Sequence, residues 1–249
     1  MQKLFSLGST SFVGKNIVGE LKKHYEVIEL SRPYFDFLDP KTYSTIDFSK
    51  SIIVDCINVN NGNVYDIENC NLNGFRLFLD NIIQHHKQTK YIYISTISVI
   101  SDEIVSQNKY VKSKLLAEDY LKESGILNHI IRLTYPIGKG ENKLRLTSRL
   151  IKDIKNKEHI TISDIKINLT PIKCLAENIF QLTQFEENKT TFFSNNVYIS
   201  LQDFIETIGE LLSIKPNYII NKSETHFEPI SDNPIECDVK LLDCLKEMI

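Results

Sequence analysis

A glycine-bounded turn that directly follows a short apolar run constrains the fold of this chain more than any other feature. The apolar run is Lys3–Leu7, and the turn extends from Gly8 to Gly14 as Gly-Ser-Thr-Ser-Phe-Val-Gly. Apolar residues then recur at helical spacing from Phe12 to Leu21. A buried strand that turns at a glycine into a helix is the start of a βαβ unit, and the free N–H groups at the helix start can hold a pyrophosphate.

Strand-like and helix-like segments alternate through the first half of the chain. The further strand segments are Glu26–Leu30, Ser51–Ile57, Tyr91–Ser95 and His129–Leu133, and the helical ones are Leu72–His85 and Val111–Glu123. This alternation predicts an α/β protein with a Rossmann-type, doubly wound parallel sheet. The alternation loosens after Pro136, and Ser200 is there the predicted N-cap of a helical pattern over Leu201–Leu212. We therefore predict a dinucleotide-binding domain over 1–135 and a small C-terminal lobe over 136–249, with a segment near 190–200 returning to the first domain.

Composition excludes several classes of partner and site. The 249-residue chain has a net charge of −3 and no basic patch, which argues against a nucleic-acid partner. No apolar run is long enough to span a bilayer, and the N-terminal residues lack the zones of a signal peptide, so we expect a cytoplasmic protein with no membrane partner. The five cysteines are scattered without a CxxC pair, which indicates reduced thiols and no metal site.

Small residues and one cation mark the candidate cofactor site. The candidates in the turn are Gly8, Thr10, Ser11, Phe12, Val13 and Gly14. Ser11 stands where the usual fingerprint has its middle glycine. Ser31 and Arg32 follow the second strand segment, where NAD-binding folds usually place an acidic residue. A hydroxyl and a cation suit a 2′-phosphate, so we predict NADP as the cofactor, with NAD as the alternative.

A tyrosine and a lysine four residues apart are the candidate catalytic pair. Tyr110 and Lys114 share one face of the predicted helix. A lysine cation near a phenol favours the phenolate, so this tyrosine can act as a general acid or base. Thr96 ends the preceding strand segment, at the edge where open α/β sheets bind ligands. The alternative for the pair, taken by spacing alone, is an ordinary exposed helix face.

Motifs in a fixed order along the chain carry a family resemblance. They are Gly8-x-x-Ser11-Phe12-Val13-Gly14, Asp36-Phe37-Leu38-Asp39, Asn71-Leu72-Asn73-Gly74, Ile94-Ser95-Thr96-x-Ser98-Val99, Tyr110-x-x-x-Lys114 with Ala117-Glu118, Arg132-Leu133-Thr134-Tyr135-Pro136-Ile137-Gly138 and Val197-Tyr198-Ile199-Ser200-Leu201. With them the chain resembles an extended short-chain dehydrogenase/reductase of the NAD-dependent epimerase/dehydratase family. The nearest resemblance is to sugar-nucleotide reductases and epimerases.

The resemblance implies a role for each matching residue. Thr96 matches the catalytic Ser/Thr, Tyr110 the proton donor or acceptor, and Lys114 the residue that activates the tyrosine and holds the nicotinamide ribose. The remaining matches are cofactor contacts: Asp36 at the adenine, Cys56 and Asn58 along the cofactor, and Tyr135 and Pro136 beside the carboxamide. Asn71 matches either a structural or a catalytic asparagine. The C-terminal lobe then binds the substrate, and a homodimer is expected because members are often dimers.

Departures from the family pattern affect the substrate site. The arginine that holds the nucleotide diphosphate in many members is Ile167 here, and the paired aspartate is replaced by Lys173-Cys174. Arg145 and Arg149 are the candidates to replace it, and Ser98 is a third candidate substrate contact. Ile97 and Ser98 stand where related 4,6-dehydratases have an Asp-Glu pair.

These features favour an NADP-dependent reductase of a keto sugar, nucleotide-activated and of the 4-keto-6-deoxy-hexose type. An epimerase with a tightly bound NAD(P) is the first alternative. A dinucleotide-binding sensor without catalysis is the second, although binding alone does not need an activated phenol.

Overall fold

The computed structural model of the chain describes residues 1–60, 62–194, 198–222 and 239–249. Its strands are β1 Lys3–Leu7, β2 Glu26–Leu30, β3 Ile52–Asp55, β4 Lys90–Thr96, β5 Leu127–Leu133, β6 Tyr135–Ile137, β7 His159–Ser163, β8 Lys166–Pro171, β9 Lys189–Phe193, β10 Tyr198–Ser200 and β11 Asn217–Asn221. Its α-helices are α1 Phe12–Leu21, α2 Val64–Glu68, α3 Phe75–His85, α4 Asp102–Gln107, α5 Lys109–Glu123, α6 Leu146–Lys155, α7 Ile172–Thr183, α8 Leu201–Leu212 and α9 Leu241–Met248. A π-helical segment, Asn69–Gly74, precedes α3, and Ile97–Ile100 forms a 3₁₀ turn after β4.

A six-stranded sheet organises the first half of the chain, in the order β2-β1-β3-β4-β5-β9. The pairings of β1 with β2 and β3, of β3 with β4 and of β4 with β5 are all parallel. Leu7 is in register with Leu30 on one side and with Asp55 on the other, so these strands end together. This topology confirms the predicted Rossmann-type fold, and it brings the loops after β1, β2, β3 and β4 to one edge.

Apolar periodicity explains why α3 packs on this sheet. Phe75, Phe78, Leu79 and Ile82 recur at helical spacing, and all four are fully buried in the core of the sheet. Aromatic rings dominate this core, since Phe78 contacts the rings of Phe35, Phe37, Tyr43 and Phe48. Burial of these aromatic rings holds α3 and the loop after β2 against the sheet.

A second core lies in the C-terminal part of the chain. Here β10-β8-β6 form one small sheet, and β11 pairs with β7 in another. The buried faces of α6 and α8 supply Leu150, Ile151, Ile154, Phe204 and Ile208. The short strands β6, β7, β8 and β11 were not among the predicted segments.

Contacts divide the chain into two compact units. The first comprises 1–133 and 176–191, and the second comprises 134–175 and 192–249. The segment that rejoins the first unit is thus 176–191 in the structure, and the domain limits proposed from the sequence stay a prediction. The predicted N-cap of α8, Ser200, is observed, with its Oγ accepting from the Asp203 N–H. Val197, part of the same motif, lies outside the described residues.

Two observations concern membrane and cysteine chemistry. Among the described residues, no helix combines the length and hydrophobicity that crossing a bilayer requires. Cys56, Cys70 and Cys244 are free and buried. Cys174, however, is disulfide-bonded, which corrects the expectation that every cysteine is a reduced thiol.

Candidate active site

The turn after β1 has the geometry that its glycines predict. Gly8 has a φ of +68°, and a Cβ there would lie 3.1 Å from the Cys56 carbonyl carbon. A Cβ on Gly14 would lie 2.3 Å from the Gly8 carbonyl oxygen, so only glycine lets α1 begin this close to the strand. Ser11 is the N-cap of α1, because its Oγ accepts the Gly14 N–H at 3.0 Å. Ser11 therefore has a structural role in the turn as well as its predicted cofactor role.

Exposure differs among the other predicted residues of this turn. Thr10 is exposed, whereas Phe12 and Val13 are half-buried at the start of α1. The remaining N–H groups of the first helical turn stay available to an anion. The residues present therefore fit the pyrophosphate of a dinucleotide.

An ion pair organises the loop after β2. Arg32 Nε donates to Asp36 Oδ2 at 2.7 Å, and Asp36 Oδ1 accepts the Leu38 N–H. The hydrogen bond from Arg32 to Asp36 raises the pKa of the guanidinium above its ordinary value. The Arg32 side chain is 61% exposed, so its other N–H groups can reach a ligand. Ser31 is half-buried, and its carbonyl oxygen accepts the Tyr34 N–H.

Thr96 and Ser98 lie next to each other at the end of β4. The Thr96 hydroxyl accepts the Ser98 N–H at 3.3 Å, which caps the 3₁₀ turn, and its Oγ1 lies 3.4 Å from Ser98 Oγ. Both residues are half-buried. A hydroxyl held at the carboxyl end of a central strand can donate to the oxygen of a bound substrate.

Tyr110 and Lys114 occupy the first two turns of α5. Asn108 caps this helix by accepting the Val111 N–H. Lys114 is 1% exposed; its Nζ donates to the Ile94 carbonyl oxygen of β4 at 2.7 Å and lies 3.8 Å from the ring centroid of Tyr93. Burial lowers the pKa of Lys114 to about 8, against the raising effect of nearby Asp55. Tyr110 is half-buried.

A buried asparagine ties this helix to the cofactor-side loop after β3. Asn71 Oδ1 accepts the Val59 N–H at 2.9 Å, and its Nδ2 donates to the Val59 carbonyl at 2.7 Å and to Ser113 Oγ at 3.3 Å. Ser113 Oγ in turn donates to the carbonyl of Tyr110. Asn71 sits in the π-helical segment that replaces the predicted start of a helix at Leu72. Its contacts observed here are structural.

Asp55 is a buried carboxylate at the end of β3 that the sequence did not single out. It is 1% exposed, accepts the Ile57 N–H and the Tyr91 hydroxyl at 2.9 Å each, and has a pKa raised to about 6 by burial. Its signal was visible, since it is the one charged residue in the apolar run Ser51–Ile57. The neighbouring Cys56 is buried, which raises the pKa of its thiol, and Asn58 is exposed.

A second unpredicted cluster holds α5 against β4 and β5. Glu118 is fully buried; it accepts a hydrogen bond from Ser95 Oγ at 2.6 Å and pairs with Arg132, whose Nη2 donates to Oε2 at 2.6 Å. Such a bidentate charged contact is geometrically specific. It fixes the helix that carries Tyr110 and Lys114.

The predicted residues of the second unit form their own cluster. Tyr135 Oη accepts the Leu146 N–H at 2.7 Å at the start of α6, and the Arg145 guanidinium lies 4.9 Å from the Tyr135 ring centroid. Glu141 Oε1 lies 3.4 Å from Arg145 Nε, and burial raises the pKa of Glu141 to about 7. Arg149 is exposed, whereas Pro136 is half-buried in β6. Arg145 is thus already paired with a carboxylate, which sequence reasoning missed.

The structure places several of the predicted residues of the first unit at one edge of the sheet. Gly8, Cys56 and Thr96 follow or end neighbouring strands at one sheet edge, and Lys114 reaches β4 from α5. A phenol and a buried ammonium on one helix, beside a strand-end hydroxyl, can exchange a proton with a carbonyl or alcohol oxygen. In the described ranges, no group of three or more His, Cys, Asp or Glu side chains could hold a metal ion.

Comparisons with known proteins support the fold. No protein-family model matches the chain, and no curated protein matches it by sequence. RMD from Pseudomonas aeruginosa complexed with NADPH is similar in structure, with a TM-score of 0.79 at 16% identity over 100% of this chain and 98% of that one. The dTDP-4-dehydrorhamnose reductase of Bacillus anthracis, in complex with NADP, has a TM-score of 0.76 at 21% identity over 90% and 85%.

A third similar structure is an epimerase. UDP-glucose 4-epimerase of Thermotoga maritima with UDP-glucose has a TM-score of 0.79 at 13% identity and covers 99% of this chain and 97% of that one. These similarities confirm the Rossmann-type fold of sugar-nucleotide reductases and epimerases that the sequence motifs imply.

Proposed function

We propose that this chain is an NADP-dependent reductase of a nucleotide-activated keto sugar, of the 4-keto-6-deoxy-hexose type. The observation that carries the proposal is the position of Lys114, whose fully buried ammonium contacts the end of β4 from the helix that bears Tyr110. Burial disfavours the cation and therefore costs stability, and buried charged groups with a shifted pKa are concentrated at functional sites. Activation of a neighbouring phenol is the proposed function of Lys114.

Three features support a dinucleotide cofactor with a 2′-phosphate. The turn from Gly8 to Gly14 leaves the start of α1 open to a pyrophosphate. Arg32 follows β2 with most of its side chain exposed. Two similar structures hold NADPH or NADP. In the proposed roles, Asp36 would contact the adenine, Cys56 and Asn58 would lie along the cofactor, and Tyr135 and Pro136 would lie beside the carboxamide.

In the proposed carbonyl reduction, each candidate catalytic residue has a separate role. When bound, NADPH would supply a hydride to the carbonyl carbon. Thr96 donates a hydrogen bond that orients the carbonyl oxygen, and Tyr110 delivers the proton that converts this oxygen to a hydroxyl. Lys114 holds a positive charge beside the phenol, which stabilises the tyrosinate left after proton transfer.

The proposed substrate class is supported by residues of the second unit and by the similar structures. Those structures include a dTDP-4-dehydrorhamnose reductase and an epimerase with UDP-glucose bound. Arg145 at the start of α6 and exposed Arg149 are the cations that would contact a nucleotide diphosphate. Ser98, beside Thr96, is the proposed contact to the sugar.

A sugar-nucleotide epimerase is the second candidate, favoured by the similarity to UDP-glucose 4-epimerase. An epimerase oxidises and re-reduces one carbon and therefore returns its cofactor unchanged. The pure protein should be incubated with NADPH and a panel of keto sugars, free and nucleotide-linked, while nicotinamide absorbance is followed.

Consumption of one NADPH per sugar reduced is the expected result. Sugar isomerisation without net NADPH loss would identify an epimerase, and binding without turnover of any sugar would identify a sensor. A Thr96→Val variant, which keeps the shape of the side chain but loses its hydroxyl, is the matched control for turnover. Sedimentation of the same sample would check the proposed homodimer.

A further inference from the structure

A buried acid lies on the same face of the sheet as the buried lysine. Asp55 of β3 is in register with Tyr93 of β4, so both side chains leave the sheet on one face. The Tyr93 ring is the surface on which Lys114 rests, at 3.8 Å from Nζ to the ring centroid. Asp55 and Lys114 are each 1% exposed. An acidic and a basic side chain are therefore buried on one face of the sheet, next to neighbouring strand positions.

The other groups that face this pair are neutral or already matched. From α5 Glu118 faces Lys114, but it is paired with Arg132. Burial raises the pKa values of Tyr91, Tyr93, Cys56 and Cys70, so these groups are uncharged near neutrality. Asp55 is the anion near Lys114 that has no cation of its own within ion-pair distance among the described residues.

We propose that Asp55 is a positioning residue, whose carboxylate keeps the Lys114 ammonium charged and fixes the backbone turn from Cys56 to Ile57 beside the glycine loop. The first effect is electrostatic, because a nearby anion offsets the penalty that burial imposes on a cation. The second is geometric, because Asp55 Oδ1 accepts the Ile57 N–H while Cys56 lies against Gly8. Through the first effect, which rests on the proposed function, Asp55 acts on Tyr110 without touching the substrate.

The proposal predicts a pH window for the charged pair. Burial raises the pKa of Asp55 to about 6 and lowers that of Lys114 to about 8, so both groups are ionised between these values. Asp55→Asn keeps an oxygen acceptor for the Ile57 N–H, removes the charge and places an amide NH2 group against the Tyr91 hydroxyl, a change for which the Tyr91→Phe control accounts. The expected result is a fall in the pKa of Lys114, because the carboxylate charge that favours the ammonium form is lost.

The test is lysine NMR on the full-length, ligand-free protein labelled at lysine Cε. The Lys114 signal is assigned by its loss in Lys114→Arg, and its titration is compared between wild type and Asp55→Asn. Tyr91→Phe is the matched control, because it removes one hydrogen bond to Asp55 and leaves the carboxylate charge. Equal Lys114 titrations in wild type and a folded Asp55→Asn would overturn the proposal.

A second measurement on the wild type covers the case in which Asp55→Asn fails to fold. The Lys114 signal should show a smaller inflection near pH 6, where Asp55 titrates, and absence of that inflection would also overturn the proposal. In turnover, the alkaline limb of the pH profile should move to lower pH in Asp55→Asn and stay in place in Tyr91→Phe. Because the NMR titration uses no ligand, it can fail or succeed independently of the reductase activity.

Discussion

Lys114 is held in place by three neighbours on different sides. The Ile94 carbonyl binds Nζ, the Tyr93 ring faces it, and Asp55 supplies an opposite charge. Cation–π contacts of this kind contribute more when they are desolvated, at about 2 kcal/mol. Lys114 therefore stays a fixed cation on α5, and the proton transfer is assigned to the more accessible Tyr110.

Tyr110→Phe should abolish turnover and leave cofactor affinity within about tenfold, which is roughly 1.4 kcal/mol. The substitution removes the proton donor and keeps the ring on α5. Turnover is measured with NADPH and the best keto sugar, and affinity by fluorescence titration of NADPH. Tyr120→Phe, which changes a tyrosine on the same helix that binds Asp80, is the control. Near wild-type turnover in Tyr110→Phe would show that another group protonates the substrate.

Arg32→Ala should weaken NADPH binding and leave NADH binding nearly unchanged. A charge-assisted contact with the 2′-phosphate contributes roughly 1.5–3 kcal/mol, whereas the exposed pair with Asp36 contributes little by itself. Lys41→Ala, an exposed cation in the following loop, controls for loss of charge. Calorimetric titrations that give wild-type protein the same affinity for both cofactors would refute the preference for NADP.

Helix starts are the elements that the two units use to arrange polar groups. Ser11 closes the start of α1, and Asn108 closes that of α5. At α6, the side chain of the N-cap residue Arg145 makes no capping hydrogen bond. The Tyr135 hydroxyl accepts a hydrogen bond from the Leu146 N–H instead. Glu141 contacts the same turn through Ser148. The start of α6 is thus contacted by one acidic and one basic side chain of the protein, Glu141 and Arg145.

Glu141→Gln should stabilise the protein at pH 8 and not at pH 4. Burial raises the folded-state pKa of Glu141 from 4.5 to about 7. Stability from the protonated form is therefore fully present below pH 4.5 and is lost as the pH rises through about 7. The difference in unfolding free energy between Glu141→Gln and wild type should grow by at most about 3 kcal/mol between these limits.

Urea unfolding at a series of pH values measures this difference. Glu187→Gln removes an exposed carboxyl and is the control, with a difference that stays near zero at every pH. A constant difference for Glu141→Gln from pH 4 to pH 8 would mean that its carboxyl does not titrate in this range.

Sequence patterns predicted the elements that depend on residues close together in the chain, and missed those that depend on contacts between residues far apart in the chain. The helical spacing of α1 and the cap at Ser200 were visible in the sequence, because each involves residues a few positions apart. The small sheet of the second unit was not, because β8 pairs with β6 and β10 across long stretches of chain, as in Tyr135 with Leu169. Asp55 stands out in the sequence as a charge in an apolar run, but its contact with Tyr91 could not be predicted, because Tyr91 is far along the chain.

At the scale of the whole molecule, the proton-transfer groups that the chain offers limit which reactions it can catalyse. Ile97 and Ser98 occupy the positions after Thr96 where dehydratases of similar sequence pattern have two acids. Isoleucine exchanges no proton, and serine has no suitable pKa. In the proposed mechanism Tyr110 is the proton donor for hydride addition to a ketone, and no base is assigned to remove a proton beside the carbonyl.

The reaction should therefore reduce a 4-keto sugar without incorporating solvent hydrogen at the carbons beside the carbonyl. Turnover in deuterated water, followed by NMR of the product, should show no deuterium at these carbons and no loss of water from a sugar with a 6-hydroxyl. NADPH deuterated at the transferable position, used in ordinary water, is the control, because its deuterium must appear at the former carbonyl carbon. Solvent deuterium beside the carbonyl would reveal a further acid or base in the site.

The return of 176–191 to the first unit has a consequence for synthesis on the ribosome. The His129 ring of β5 binds the Leu182 carbonyl at 2.9 Å and the Thr191 hydroxyl at 2.8 Å, so its partners are translated long after it. At roughly 5–20 residues per second, the interval from 133 to 191 lasts about 3–12 s. Through that interval the outer edge of β5 has no β9 to pair with, and a nascent chain paused within 134–175 presents an open strand edge to other nascent chains and to chaperones.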